Sequence, residues 1–152
     1  MAHLSLRVLG SLQVLIDDTP VATLASDKAR ALLVYLAVEA GRPHRRESLV
    51  GLLWPDCPEQ VARHNLRQAL FNLRRAIDDH AASPPYLLVS RDAIQLNRAS
   101  DFSLDLDRFN TILRTCEESR RRGIEDPSAH AARLEEMVKL YRGEFLQHFF
   151  LE

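Results

Sequence analysis

In the stretch DCPEQVARHNLRQALFNLRRAIDD, residues 56–79, two chemistries run along one helical period. At about 100° per residue, Leu66 centres a face completed by Ala62, Ala69, Leu70, Leu73 and Ile77, an apolar stripe wide enough to face a core. The opposite side carries His64, Arg67, Gln68, Phe71, Asn72 and Arg75, with Arg63 and Arg74 on one flank and Asn65 on the other. Glu59 is the only acid from Pro58 to Ile77. Asp56 stands three residues ahead of Glu59 in a capping-box arrangement, and Pro58 suits a first turn, so the pattern predicts a helix over 58–79. Arginine neutralises phosphates, and the planar ends of Arg, Gln and Asn match paired donors and acceptors on base edges in the major groove. On composition alone the same face fits a solvated helix surface equally well. Phe71 suits a thymine methyl and equally suits packing against later helices.

Upstream, Leu4, Leu6 and Val8, then Leu12, Val14 and Ile16, alternate on either side of Gly10 and Ser11, the pattern of a β-hairpin. Asp17 to Pro20 reads as the next turn and Val21 to Leu24 as a third edge strand of a small antiparallel sheet. From Ser26 the period becomes helical, with Ser26 or Asp27 as cap and Ala29, Leu32, Leu33, Leu36 and Ala40 on one face before Gly41. After the turn GRPH, a shorter helix carries Leu49, Leu52 and Leu53 and stops at Trp54, ahead of Pro55. Trp54 reads as a plug between this helix and the long one. Downstream, Pro84 and Pro85 end the helical region, and Tyr86–Val89 and Ala93–Leu96 form a second hairpin, 86–97, around Ser90, Arg91 and Asp92. Beyond Ser100 the chain reads as wholly helical. Leu106, Phe109, Leu113 and Cys116 share one face, and Leu134, Met137, Val138 and Tyr141 another, separated by RRRGIEDPS. A two-helix hairpin cannot hide both faces, so it is expected to pack on the preceding unit, away from the basic helix face.

The whole chain has 152 residues, 46% hydrophobic and 27% charged, a profile that excludes disorder and supports a core without disulfides or a structural metal. Residues 1–100 hold 12 basic and 10 acidic side chains, and residues 101–152 hold 8 and 11, so a net of +2 is followed by −3. Cys57 and Cys116 lie in different segments, the usage of a reducing compartment, and the alternating MAHLSLRVLG is no signal peptide. No run approaches the length of a membrane span. These features predict a cytoplasmic protein with no membrane partner. The six histidines show no metal-ligand spacing, and Asp101, Asp105 and Asp107 lack the glycine and bidentate glutamate of a calcium loop. Asp105 is expected as an N-cap. No phosphate-cradling loop, no G-x-S-x-G and no Ser or Cys beside a base is evident, so the chain is read as no enzyme, with no metal and no cofactor.

A small antiparallel sheet, three helices with the last long and basic, and then a hairpin is the order of a winged helix-turn-helix in an α+β chain. Its third helix would enter the major groove and its hairpin would be the wing, with Arg91 at the tip and Arg98 at the base able to reach phosphate or the minor groove. The strings LGSLQVLIDD, KARALLVYLAVEAGRPHRRESLVGLLWPD, ARHNLRQALFNLRRAI, DLDRF and LYRGEFL resemble the SARP-type bacterial transcriptional activators. The resemblance implies an OmpR-type winged helix over residues 1–98, followed over 101–152 by an all-α helical hairpin, the first helices of a bacterial transcriptional activator domain. It implies that Leu66, Leu70 and Leu73 are core and that Arg67, Gln68, Arg74 and Arg75 face DNA. The expected DNA-binding set is Arg63, His64, Arg67, Gln68, Phe71, Asn72, Arg74, Arg75 and Arg91. The expected partners are promoter DNA, with direct repeats, and RNA polymerase recruited there; a homodimer is left open. The alternative is a helical protein-interaction adaptor whose winged fold does not bind DNA, which the small +2 balance leaves standing.

Overall fold

The computed structural model describes residues 2–24, 26–124, 126–149 and 151. Its opening alternation forms β1, Leu4–Arg7, and β2, Gln13–Ile16, paired antiparallel with Leu6 opposite Val14. Leu4, Leu6 and Val8 are fully buried. The third strand differs from the expected Val21–Leu24. Asp17 and Asp18 both adopt left-handed backbone angles, φ 49° and 64°, and such a two-residue turn matches the twist of its flanking strands. The chain therefore re-enters the sheet at once as β3, Thr19–Pro20.

Helix α1, Asp27–Val38, starts where the Ser26 hydroxyl accepts from the Ala29 amide at 3.3 Å. The segment GRPH is more than a turn. Its last residue opens β4, His44–Arg45, paired with Ile94 and Ala93, while the buried His44 ring reaches the Glu39 carbonyl at 2.8 Å. In α2, Arg46–Leu53, Leu49 and Leu53 are buried but Leu52 is exposed. Helix α3, Glu59–Ala76, follows Pro58 with no side-chain cap, so Asp56 makes no capping box, and it stops short of Asp79. The chain turns there because Asp78 is left-handed, φ 53°, while the Asp79 amide bonds back to the Arg74 carbonyl. Strands β5, Leu87–Val89, and β6, Ala93–Leu96, form the expected hairpin, and with β4 they make a three-stranded sheet ordered β4-β6-β5.

Past Ser100 the chain is not wholly helical. Strand β7, Phe102–Leu104, lies parallel to β1 with Leu4 opposite Phe102, and extends the N-terminal antiparallel strands into a mixed sheet ordered β3-β2-β1-β7. Helix α4, Asp105–Arg122, follows directly, with Gly123 at φ 67° closing it in the left-handed cap that glycine favours. Helix α5, Pro127–Leu140, is capped by the Asp126 carboxylate. Asp105 is not the N-cap of α4; that position is Leu104. The buried Asp105 carboxylate instead accepts from the amides of Val8 at 2.9 Å and Leu9 at 3.0 Å, besides its neighbour Leu106 at 2.8 Å. It thereby satisfies donors at the end of β1 that the ladder leaves over.

The α4–α5 hairpin hides little of its apolar surface. Ile112 is buried and Leu106, Phe109 and Cys116 are half-buried, whereas Leu113 is exposed and no side chain of α5 is buried. Arg108 grips Glu136 across the hairpin at 2.7 and 3.0 Å. After α5 the chain returns to the β1–β2 turn, where Arg142 and Leu146 donate their amides to the carbonyls of Leu9 and Val8. Gly10, at φ 116°, permits this approach, since a Cβ there would lie 3.0 Å from the Arg142 Cβ. The hairpin thus attaches through β1, β7 and this turn, and Phe71 on α3 stays 60% exposed rather than packing against it.

Candidate nucleic-acid interface

The rotation of α3 follows its apolar period: Ala62, Leu66, Ala69, Leu70, Leu73 and Ile77 are all buried. Burying that stripe against α1 and α2 turns the other side outward. His64, Arg67, Gln68, Phe71, Asn72 and Arg75 are exposed there. Among the described residues, no hydrogen bond or ion pair holds the side chains of Arg67, Gln68, Asn72 or Arg75. Their donors and acceptors remain available to a ligand.

Two arginines of the expected set are engaged. Arg63 lies 2.8 Å from Glu59 and 3.8 Å from Glu47 of α2. Arg74 donates from Nε to Asp79 at 3.1 Å, and the other oxygen of that fully buried carboxylate accepts from the amides of Tyr86 at 2.7 Å and Leu87 at 3.2 Å. Arg74 therefore ties the end of α3 to the start of the β5–β6 hairpin. A guanidinium used in this way positions the hairpin relative to the helix, since both oxygens of its partner are committed.

Arg91 sits exposed at the hairpin tip. Between that tip, α3 and the start of α2 lies an open cleft of about 630 Å³, lined by Arg45, Arg46, Arg63, Arg67 and Arg91 together with Glu47 and Asp92. Arg46 joins its two sides: Nε and Nη2 donate to the Ser90 carbonyl at 3.3 and 3.0 Å, and its amide donates to the Asp92 carbonyl at 3.0 Å. Sequence reasoning passed over Arg45 and Arg46. The available signal was two adjacent arginines just after the turn GRPH, where the second helix begins. Trp54 is half-buried below α2, with the Lys28 ammonium 5.9 Å from the centre of its ring; Lys28 also bonds the Leu53 carbonyl at 2.6 Å.

One arrangement contradicts the expectation that no serine stands beside a base. The ring of His3 bridges Asp101, 2.6 Å from Nδ1, and Ser103, 2.8 Å from Nε2. The Ser103 backbone lies opposite Ser5 in the parallel ladder, so these side chains lace the entry of β1 to β7, while the His3 backbone amide ties it to the Asp17 carboxylate of the β2–β3 turn. Among the described residues no three His, Cys, Asp or Glu side chains converge as a metal site requires. No helix among them is long and apolar enough to cross a membrane.

Residues 22–93 match the family model described as transcriptional regulatory protein, C terminal. The transcriptional regulatory protein EmbR of Mycobacterium bovis and that of Mycobacterium tuberculosis are each 31% identical to the chain over 107 residues, which is 70% of this chain and 27% of theirs. A solved structure of Mycobacterium tuberculosis EmbR, in complex with a low-affinity phosphopeptide, superposes with a TM-score of 0.79 at 25% identity. It covers 96% of this chain and 38% of that one. The chain thus spans well under half the length of the relatives it matches, which carry the name transcriptional regulatory protein.

Proposed function

We propose that this chain, a SARP-type member of the transcriptional regulatory proteins whose residues 22–93 carry their C-terminal winged-helix domain, reads duplex DNA in a sequence-specific manner with α3. The observation that carries the proposal is the outward face of α3, where Arg67, Gln68, Asn72 and Arg75 stand exposed and, among the described residues, unengaged beside a cleft walled by arginines. A helix of this width enters the major groove, and side chains with planar paired donors discriminate base edges there. His64 and Phe71 share that face, Arg63 and Arg74 flank it, and Arg91 on the β5–β6 wing reaches the backbone or minor groove. Residues 1–98 form the DNA-binding unit, and the segment from 101 onward, β7 followed by α4 and α5, is the start of an activator domain. The protein works in the cytoplasm, at direct repeats in promoter DNA, and activates by recruiting RNA polymerase.

A salt-titrated mobility shift tests this reading. Binding to duplex DNA should weaken steeply with salt, because each neutralised phosphate releases counterions. Arg67→Ala and Arg75→Ala should each lose about 1–3 kcal/mol of binding to the preferred sequence, with Tm unchanged. Variants that bind like the parent would remove α3 as the reader, and a parent that binds no duplex at low salt would favour the adaptor.

A further inference from the structure

The arginines of this interface fall into two states. Arg67, Arg75 and Arg91 are unpaired among the described residues, whereas Arg63 on the same helix is addressed by two carboxylates from two helices, Glu59 at 2.8 Å and Glu47 at 3.8 Å. Both acids are about three-quarters exposed, and Arg63 is half exposed. Glu59 is the only acid on α3, and Glu47 reaches Arg63 across the mouth of the arginine-lined cleft.

We propose that Glu47 and Glu59 are a brake on indiscriminate DNA binding: they compete with backbone phosphate for Arg63 and withhold it until a correctly seated duplex displaces them. This rests on the reading of α3 as the DNA reader. Sequence-independent affinity grows with the number of phosphates the protein neutralises. An arginine paired with its own chain's carboxylates contributes less to that number, because each phosphate contact must first displace them, and the two carboxylates beside it repel the approaching strand. An exposed ion pair is weak. A phosphate held at the right distance by the rest of a specific complex therefore takes the guanidinium over, through a charge-assisted bond that can be bidentate. The brake acts on loosely placed DNA and yields to well-placed DNA, which widens the gap between specific and non-specific affinity.

The test compares the full 152-residue chain with Glu47→Gln and Glu59→Gln, singly and together, by mobility shift on a duplex of unrelated sequence over a salt series. Glutamine keeps shape and hydrogen bonding while removing the charge. The double variant should bind this duplex about two- to five-fold more tightly, and its dependence of log affinity on log salt should steepen by about 0.9, the increment for one added phosphate contact. In an Arg63→Met background the same two changes should give no gain. Unchanged affinity and slope in the double variant, or an equal gain with and without Arg63, would overturn the brake, the latter outcome marking a general charge effect. A parent chain that binds no duplex at low salt would instead fail the DNA-binding reading on which the brake depends; a parent that binds, matched by variants that do not differ from it, fails the brake alone.

Discussion

Helix α1 buries seven of its twelve residues and α5 none of its fourteen, although both were legible as amphipathic from the same period. The difference lies in what surrounds them. α1 is enclosed by α2, α3 and the wing sheet, so its apolar positions lose water on several sides. α5 has one principal neighbour, α4, and Leu134 and Val138 remain 47% and 74% exposed. An apolar stripe reports that a helix wants a partner; only the number of partners decides how much stability the stripe returns. The winged-helix unit is held by burial, while the α4–α5 hairpin depends on polar fastenings: the Asp105 carboxylate, the Arg108–Glu136 pair and the backbone bonds of residues 142–147.

The largest effect that would break this contrast comes from emptying each region of an apolar side chain. Leu66→Ala and Leu73→Ala should each lose about 2–5 kcal/mol of stability. Val138→Ala should stay within about 0.5 kcal/mol. Denaturant midpoints measure both, and a Val138 variant as damaging as the leucine variants would show that α5 is a core helix after all. Next in size is Asp105→Ala, which strands the Val8 and Leu9 amides and should cost about 1–3 kcal/mol. Hydrogen exchange should quicken first along α4 and the end of β1, before α3; uniform quickening across the chain would deny the fastening its local role.

The smallest effect is a pH dependence confined to the hairpin. The hydrogen bond from Arg108, with that guanidinium's charge, holds the Glu136 carboxyl below its ordinary value. A lowered carboxyl contributes stability that is present above its unfolded value and lost as pH falls through the folded one. Acidification from the ordinary carboxylate range downward should therefore loosen α4 against α5, read by exchange of their amides. Because both side chains face solvent, the change is slight, and its survival in Arg108→Met would refute the assignment.

The rotation of α3 was legible because six apolar residues at helical spacing leave one solution, and the outward Arg, Gln and Asn followed from it. What escaped the sequence depended on residues distant along the chain. Phe102–Leu104 is too short to show alternation, and its pairing with β1 has no local signal. Thr19–Pro20 replaced Val21–Leu24 because two consecutive aspartates accepted left-handed angles, a choice neither residue announces. Arg74 looked as free as Arg75. It is committed because Asp79 lies just past the helix end and also meets the Tyr86 and Leu87 amides, a convergence visible only once the chain has turned back. The expected Asp56 cap failed for the converse reason: a good local pattern was passed over when Pro58 took the position.

The parallel seam between β1 and β7 sets an order of events during synthesis. Val8 and Asp105 are 97 residues apart, so β1 can pair with β2 almost as soon as both are made but waits on its other edge until the chain has been made well past the wing. Closing so long a loop is slow relative to forming the hairpin or the helices. During that interval β1 presents unpaired backbone groups, the kind of edge through which nascent chains associate with one another. Expression of residues 1–98 alone makes that interval permanent, whereas ending the chain just after β7 and the first turn of α4 removes it.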